Sequence, residues 1–328
     1  MKVFLAPMVG RTDKYFRKLV RIISPNIVLF TEMMTVDSLI RGSFKKYSIN
    51  ETEHPLVIQL AGNDRNKFIE CTKIVSEQGF DEINLNIGCP SKRVQAGNFG
   101  ACLMAHPKLV AECVERIKEK VNIPVTIKCR IGIDDYNPDE MLPEFVETLI
   151  KSDVSTFIIH ARKAMLEGLD PKQNREIPPL DYDMVRMIKR KWSDLNIILN
   201  GGLLTPYSAK NEISASKGIE LDGVMIGRAV LENPYSIIDV DKIFYNDNKL
   251  MPSRFKIAEE MIYYLEESVQ KGVPINIITQ NMLGLFHGCR GAKIWRSYLS
   301  HEAPRRRDDP KVLSEAINLV FEAQNEAA

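Results

Sequence analysis

The sequence predicts an α/β fold in which a closed barrel of eight parallel strands is followed by a small all-helical region. Eight short β-rich runs alternate with segments whose apolar residues recur at helical spacing, and this alternation stops near residue 245. The chain has 328 residues, whereas a barrel of eight βα units takes about 250. We therefore expect a TIM barrel over residues 1–245 and a helical domain over residues 246–328.

The predicted strands are rich in Val, Ile, Leu and Phe, as expected for strands that are covered on both faces. They cover residues 3–5, 27–30, 56–60, 83–86, 125–128, 157–160, 197–200 and 223–226. Most are separated by amphipathic segments, such as residues 106–121, with charges opposite the apolar face. Strands joined in this way run parallel, so their carboxyl ends should meet at one end of the barrel.

Beyond the barrel, turn-forming residues at positions 245–253 predict a linker. Ser253 can then cap a helix that ends before Gly272 and Pro274. One face of this helix is apolar and consists of Ile257, Met261, Leu265 and Val269. Further helical patterns cover residues 275–286, 291–300 and 310–324.

Composition gives few indications of function. Forty-four Lys and Arg residues against forty-three Asp and Glu residues give a net charge of +1, so any nucleic-acid binding requires a local basic patch. Six cysteines lack zinc-site spacing, five histidines are scattered, and we expect no metal site. With no signal segment and no long apolar run, we expect a cytoplasmic protein with reduced thiols that contacts no membrane.

The residues at the predicted strand ends are unusually polar, although a barrel interior favours Val, Ile and Leu. Chemistry in such barrels takes place at the carboxyl ends of the strands, so these residues are candidates for a site. In strand order they are Pro7 and Met8, Gln59, Asn86 and Cys89, Lys128, His160, and Asn200.

Two glycine-containing turns indicate a phosphate site. Asn200, Gly201 and Gly202 follow the seventh strand, and Gly227 and Arg228 follow the eighth, which is where these barrels commonly bind phosphate. Alternatively, the glycines form ordinary turns and Arg228 pairs with a surface carboxylate. The coincidence of both turns at strands seven and eight favours a phosphorylated ligand.

Lys128 indicates an anionic ligand, because an inward-facing ammonium must find a negative charge. A reduced flavin carries such a charge, and Gln59 and His160 could contact its ring or phosphate. The alternatives are that Lys128 forms a buried salt bridge, and that Gln59 and His160 are satisfied core residues.

With these residues in place, the sequence resembles the tRNA-dihydrouridine synthases, flavoenzymes that reduce specific uridines of tRNA. Nearly the whole chain takes part, from "LAPMVGRTDKYFRKLV" through "DEINLNIGCPSKRVQAGNFGACLM", "IPVTIKCRIGIDD" and "DGVMIGRAVLENP" to "GAKIWRSYLS". It looks most like the bacterial DusA-like subfamily, whose members modify D-loop positions 20 and 20a.

The resemblance implies FMN as cofactor, NADPH as electron donor and tRNA as partner. We expect no DNA partner and a monomer, although the sequence does not determine the oligomeric state. The FMN ligands that it implies are Pro7, Met8, Val9, Gln59, Lys128, His160, Asn200, Gly201, Gly202, Gly227 and Arg228. It makes Cys89 the catalytic acid and Asn86 a contact of the substrate uridine. The implied tRNA contacts are Lys172, Arg175, Lys293 and Arg296.

The chemistry of uracil reduction is consistent with Cys89 in that role. Saturating the C5–C6 bond requires a hydride at C6 and a proton at C5, hence reduced FMN and a separate acid. A thiol with a pKa near 8.5 stays protonated at neutral pH. We expect Gly88 to permit an unusual backbone and Pro90 to fix the direction of the exit. Cys89 could instead be a small core residue, and Cys102 in the same loop is the rival acid.

A uridine within folded tRNA must be extruded before it can enter a barrel, so RNA affinity must come from outside the pocket. Lys293 and Arg296 are three residues apart and share a helix face, while Lys172 and Arg175 lie in the loop after strand six. These could equally be solvated charged faces.

Two other functions share part of this pattern. An FMN barrel oxidoreductase acting on a free pyrimidine would need the same strand ends, although it has no need of a basic helical domain. A non-catalytic tRNA-binding protein would need that domain and no flavin.

Overall fold

The computed structural model describes residues 1–42 and 49–326, and its centre is a closed barrel of eight parallel strands. The strands are β1 (Lys2–Leu5), β2 (Leu29–Thr35), β3 (Leu56–Ala61), β4 (Glu82–Ile87), β5 (Val125–Arg130), β6 (Thr156–His160), β7 (Asn196–Asn200) and β8 (Gly223–Ile226). β1 pairs with β8, and hydrogen bonds of 2.9 Å from Leu5 N to Val28 O and from Val28 N to Val3 O close the barrel. The predicted barrel is confirmed.

The second strand departs most from its predicted bounds. It was expected at residues 27–30, whereas β2 begins at Leu29 and continues to Thr35 with a register shift between Phe30 and Met33. The polar pair Thr31 and Glu32 interrupts the apolar run at this irregularity, which is why the pattern does not reveal the longer strand.

Within the described residues, ten α-helices follow the strands and cover the barrel. They are α1 (Lys14–Ile23), α2 (Val36–Ile40), α3 (Arg65–Gln78), α4 (Lys92–Ala96), α5 (Pro107–Lys118), α6 (Pro138–Ile150), α7 (Tyr182–Lys191), α8 (Pro206–Glu212), α9 (Arg228–Glu232) and α10 (Val240–Tyr245). α5 shows the local logic, since Pro107 starts it and its periodic residues Val110, Val114 and Ile117 are buried.

The barrel interior has an apolar side and a polar side. The apolar side consists of Phe4, Ala6, Val28, Phe30, Val57, Ile158, Ile198 and Met225. The polar side comes from β3, β4 and β5 and contains Gln59, Glu82, Asn84, Asn86, Thr126 and Lys128. This polar side leads to the carboxyl ends of the strands, where Asn86 and Lys128 are paired in register.

The C-terminal region is helical, as predicted. It contains α11 (Arg254–Gln270), α12 (Ile275–Thr279), α13 (Ala292–Arg305) and α14 (Lys311–Asn325). The Ser253 hydroxyl accepts a hydrogen bond of 3.1 Å from Lys256 N and caps α11. Trp295 is fully buried, and its Nε1 donates to Met282 O at 2.9 Å. The buried residues of these helices belong to the same apolar cluster as those around the barrel.

The helical region packs against the first helix of the barrel. Asn281 Nδ2 donates to Asp13 Oδ1 at 3.3 Å, and the rings of Tyr15 and Tyr264 lie 6.3 Å apart between centroids. In the described part of the chain, the helices are too short or too polar to span a bilayer.

Candidate active site at the barrel mouth

A cavity of about 900 Å³ opens at the carboxyl ends of the strands. Of the predicted site residues, those that line it are Pro7, Met8, Val9, Gln59, Asn86, Cys89, Lys128, His160, Arg175, Asn200, Gly201, Gly202, Gly227 and Arg228. Ligand pockets usually measure about 300–1,000 Å³, so this cavity has room for a cofactor and a second ring.

Lys128 faces this cavity from β5 without a carboxylate partner among the described residues. The alternative of a buried salt bridge is therefore wrong. Burial, together with the nearby guanidinium of Arg130, lowers the pKa of Lys128 to about 8. A cation in this position favours an anionic ligand, because the ligand would supply the missing countercharge.

His160 ends β6 and lies level with Arg130 of β5. Burial and the positive charges of Arg130 and Lys128 lower its pKa well below the usual value. Its Nδ1 atom is buried and has no hydrogen-bond partner. An orphaned polar atom at a cavity wall is a place where a ligand can bind.

The turn after β7 strongly favours glycine. Gly201 and Gly202 have φ angles of +108° and +71°, and a Cβ atom on Gly202 would lie 2.5 Å from Leu180 Cδ1. Asn200 Nδ2 donates to Met225 O at 2.8 Å, and the Tyr182 hydroxyl donates to Gly201 O at 2.7 Å. The turn is thereby fixed with its backbone at the cavity.

Arg228 lies at the end of β8 and pairs with Glu176 at 2.9 Å. It also donates to Arg175 O at 3.2 Å. The side chains of Arg228 and Glu176 are 41% and 47% exposed, and exposed pairs of this kind are weak. A carboxylate partner was the alternative for Arg228, and the structure shows it. A phosphate carries more negative charge than the carboxylate of Glu176 and would compete with it for Arg228.

Together these features suit FMN. The cavity presents an uncompensated ammonium, an orphaned imidazole nitrogen and a glycine turn next to an arginine, the set that a phosphorylated anionic ring system requires.

Cys89 lies on the wall formed by the loop after β4. Asn86 Oδ1 accepts hydrogen bonds from Gly88 N at 3.2 Å and from Cys89 N at 3.0 Å, so the asparagine fixes the turn. The thiol is half-buried and lies near the cations of Lys128 and Arg130.

Gly88 was expected to permit an unusual backbone. Its φ lies outside the left-handed region, and a Cβ atom there would lie 3.3 Å from the Cys129 carbonyl carbon, a close approach that favours glycine. Gly100 is the residue with the special backbone. Its φ is +77°, and a Cβ atom there would lie 2.7 Å from Cys89 O.

Cys102 does not compete for the cavity. It does not line the cavity, and its thiol donates to Phe99 O at 3.2 Å. Burial raises the pKa of this thiol.

Known proteins of similar sequence show which family the chain belongs to. A profile of the dihydrouridine synthase family matches residues 4–322. The chain belongs to the dihydrouridine synthase family. The resemblance seen in the sequence motifs is confirmed.

Individual relatives agree with this assignment. The chain is 47% identical over 316 residues to the tRNA-dihydrouridine(20/20a) synthase of Shewanella oneidensis, covering 96% of this chain and 93% of that protein. It is 44% identical over 317 residues to the protein of the same name from Vibrio parahaemolyticus, covering 96% of each. These names match the DusA-like subfamily expected from the sequence.

A solved structure of morphinone reductase in complex with tetrahydroNAD matches with a TM-score of 0.51 and 11% identity, over 78% of this chain and 90% of that one. At this identity the match supports the barrel fold alone.

This dihydrouridine synthase has a site residue that sequence reasoning missed. Arg130 lines the cavity and donates to Gly88 O at 3.0 Å, Lys163 O at 2.8 Å and Asn174 O at 2.8 Å. Burial lowers its pKa to about 10. Its position two residues after Lys128 was the available signal, because alternate residues of a strand share a face.

The four predicted tRNA contacts outside β4 are not all in one place. Arg175 lines the cavity, and its Nε atom is buried without a partner, whereas Lys172 is exposed and does not line the cavity. Lys293 and Arg296 are exposed on α13, also away from the cavity lining. The structure thus brings Arg175 into the site and leaves the other three on the surface.

Proposed function

We propose that this protein reduces uridines at D-loop positions 20 and 20a of tRNA to 5,6-dihydrouridine, with FMN as cofactor and NADPH as electron donor. Its family and the names of its relatives support the reaction and the positions. The observation that carries the proposal is the shared cavity, in which the thiol of Cys89 and the uncompensated ammonium of Lys128 both lie.

In this proposal the residues at the strand ends would hold FMN. The turn of Gly201 and Gly202 and the guanidinium of Arg228 would hold its phosphate, while Gln59, Lys128 and His160 would contact its ring. When bound and reduced, the cofactor would supply the hydride for C6 of uracil. Lys128 would offset the negative charge of the reduced ring and would in turn be relieved of the cost of its own burial.

Cys89 supplies the proton for C5. The hydride and this proton together would saturate the C5–C6 bond, and the sulfur would then take a proton back from solvent. Asn86 contacts the extruded uridine and holds the cysteine turn through Oδ1. The hydrogen bonds at Asn86 support its part in positioning the acid.

The rest of the tRNA binds outside the pocket. We assign residues 1–245 to the catalytic barrel and residues 246–328 to a tRNA-binding domain that includes Lys293 and Arg296, with Lys172 as a further phosphate contact and Arg175 facing the nucleotide at the mouth. We propose that this activity is cytoplasmic, as expected from the sequence. We propose that a monomer carries it out, since one chain contains the whole cavity.

The test is product formation by the flavin-loaded enzyme on unmodified tRNA, measured by mass spectrometry of nucleosides and by mapping of the modified positions. Cys89→Ala should keep its flavin and lose at least about a hundredfold in rate, because general acid catalysis supplies about that much. The matched control is Cys102→Ala in the same loop, which should remain active.

Normal turnover by Cys89→Ala would contradict the role of the thiol. Reduction of free uridine but not of tRNA would contradict the substrate, and a purified protein without flavin that still binds tRNA would favour a non-catalytic role.

A further inference from the structure

The polar side of the barrel interior contains a continuous column of five side chains, which we call the polar column: Glu82, Thr126, Asn84, Gln59 and Asn86. Strand register builds it. Asn84 of β4 lies level with Gln59 of β3 on one side and with Thr126 of β5 on the other. Asn86 comes two residues later on the same face of β4, and Glu82 two residues earlier.

Each member of the polar column donates to the next. Asn86 Nδ2 donates to Gln59 Oε1 at 2.9 Å, and Gln59 Nε2 donates to Asn84 Oδ1 at 2.8 Å. Asn84 Nδ2 then donates to Thr126 Oγ1 at 2.8 Å, and the Thr126 hydroxyl donates to Glu82 Oε1 at 2.6 Å. Gln59, Asn84 and Thr126 are buried, so water cannot replace these partners cheaply.

The groups at the two ends of the polar column determine in which direction its hydrogen bonds run. At the mouth, the backbone N–H groups of Gly88 and Cys89 can only donate, and Asn86 Oδ1 accepts both. At the far end, Glu82 Oε1 accepts from the Thr126 hydroxyl; burial raises the pKa of this carboxyl, and the hydrogen bond from Thr126 opposes that rise. Turning Gln59 or Asn86 by half a rotation would break the hydrogen bonds on both sides of that amide, and turning Asn84 would break its hydrogen bond with Gln59. The column is therefore consistent in one orientation.

We propose that Glu82 and Thr126 are positioning residues for uridine reduction, which fix the amide orientation of Gln59 and Asn86 at the mouth through the polar column. Neither residue lines the cavity. The inference rests on the proposed function, since it assigns a catalytic consequence to a network inside the barrel. Its effect reaches the acid because Asn86 holds the backbone of Cys89.

Thr126→Val and Thr126→Ser separate positioning from packing. Valine has the shape of threonine and removes the hydroxyl, so the orientation imposed by Glu82 is lost at Asn84. Serine keeps the hydroxyl and loses only a methyl group. Ile158→Val, on the apolar side of the same barrel, is the control for a small change of core volume.

The decisive measurement is the half-reaction with substrate. Flavin-loaded protein is reduced with dithionite and mixed with unmodified tRNA, and reoxidation is followed by flavin absorbance. Thr126→Val should reoxidise about tenfold to a hundredfold more slowly, because misplaced reacting groups cost rates of that order. Its affinity for tRNA and its flavin content should match the wild type, and Thr126→Ser and Ile158→Val should react normally.

Glu82 gives a second, independent pair at the less buried end of the polar column. Glu82→Gln keeps an acceptor oxygen for Thr126 and should react like the wild type, whereas Glu82→Leu should be slow. The side-chain amide signals of Gln59 and Asn86 in ¹⁵N NMR spectra should shift in Glu82→Leu and Thr126→Val alone, with or without substrate.

Wild-type reoxidation rates and unshifted amide signals in both Thr126→Val and Glu82→Leu would overturn the inference. A slow rate in Thr126→Ser or Ile158→Val equal to that of Thr126→Val would overturn it as well, since the effect would then come from packing. If tRNA does not reoxidise the wild type, the proposed function is contradicted. The NMR spectra then test the inference separately, because unshifted amide signals in both variants would show that Glu82 and Thr126 do not orient Gln59 and Asn86.

Discussion

Lys128 lies where its charge would stabilise a bound anion but destabilises the folded protein in the absence of one. Its ammonium is desolvated, faces the cavity and has Arg130 as a neighbour instead of a carboxylate. In the absence of an anion this arrangement opposes folding. Flavin binding would reverse the balance, because the ligand brings the countercharge.

We therefore expect Lys128→Met to stabilise the flavin-free protein by on the order of 1 kcal/mol at neutral pH. It should also weaken flavin binding by at least about tenfold, because a charge-assisted contact is lost. Urea unfolding of flavin-free protein and flavin titration measure the two effects. Lys108→Met, on the exposed surface of α5, should change neither.

The pH dependence of the stability gained in Lys128→Met follows from the lowered pKa of Lys128. Between about pH 8 and the ordinary lysine value of 10.5, the unfolded chain binds more protons at Lys128 than the folded chain does. Stability of the wild type thus rises with pH in that window. The difference between Lys128→Met and the wild type should be greatest below pH 8 and shrink as the pH approaches 10.5. A difference that grows with pH would contradict the burial of an ammonium.

At the residue scale, the sequence was sufficient for the groups that point out of the strand ends. The rule that parallel strands end together predicted Gln59, Lys128 and His160 at one mouth, and they line one cavity. Arg130 and Asn84 were missed for different reasons. Arg130 follows Lys128 at the spacing of one face, so the signal was present. Asn84 depends on the register between strands, which a single sequence does not contain.

At the scale of elements, the loops after β4 and β6 behave as one unit. Arg130 joins the cysteine turn at Gly88 O to two carbonyls of the β6 loop. Gln95 on α4 makes a second connection, since its Nε2 donates to Pro90 O at 2.8 Å and to Leu166 O at 2.7 Å. The loop that holds the thiol is thus tied to the loop that holds Arg175.

Gln95→Leu should loosen this connection while leaving the barrel intact. Loss of two hydrogen bonds should lower the free energy of unfolding by about 1–2 kcal/mol. Alkylation of Cys89 by iodoacetamide, measured by mass spectrometry of the peptide, should become several-fold faster because the turn opens more often. Lys92→Ala, exposed on the same helix, is the control. Equal alkylation rates in both variants would contradict the coupling of the two loops.

Element boundaries were predictable where apolar periodicity is unbroken. β3 and β5 were expected within one or two residues of their observed ends, and Ser253 caps α11 as expected. β2 was not, because its second half contains Glu32, whose carboxylate accepts from Gly10 N in the loop after β1. A polar residue such as Glu32, which binds a neighbouring loop, interrupts the apolar pattern of its strand, so the sequence pattern predicts a turn there.

For the whole molecule, the near-zero net charge conceals a local concentration of positive charge. Besides Lys128 and Arg130, the cavity lining includes Arg11, Arg93 and Arg175. Composition could not reveal this, because the barrel gathers residues from distant strands. The fold was predictable from the βα alternation, whereas the sign of the field at the mouth emerges only when the barrel is closed.

The exposed basic residues of α13 test how the whole molecule would hold RNA. Lys293 and Arg296 are exposed on α13 and form no ion pair in the described part of the chain. If each contacts a phosphate, replacing both with Ala should flatten the dependence of log Kd on log salt concentration by about 1.5, since each contact contributes about 0.7–0.9 to the slope. Fluorescence anisotropy with unmodified tRNA over a salt series measures the slope.

Lys271 and Arg305 provide the matched control, because these cations of the same region are paired with Glu267 and Glu302. Replacing both with Ala removes the same charge, yet their carboxylate partners already neutralise them, so the slope should change much less. An equal change in the two double variants would mean that α13 contributes only general positive charge. An unchanged slope for Lys293 and Arg296 would place the tRNA on another face, and binding would then have to come from the arginines at the mouth.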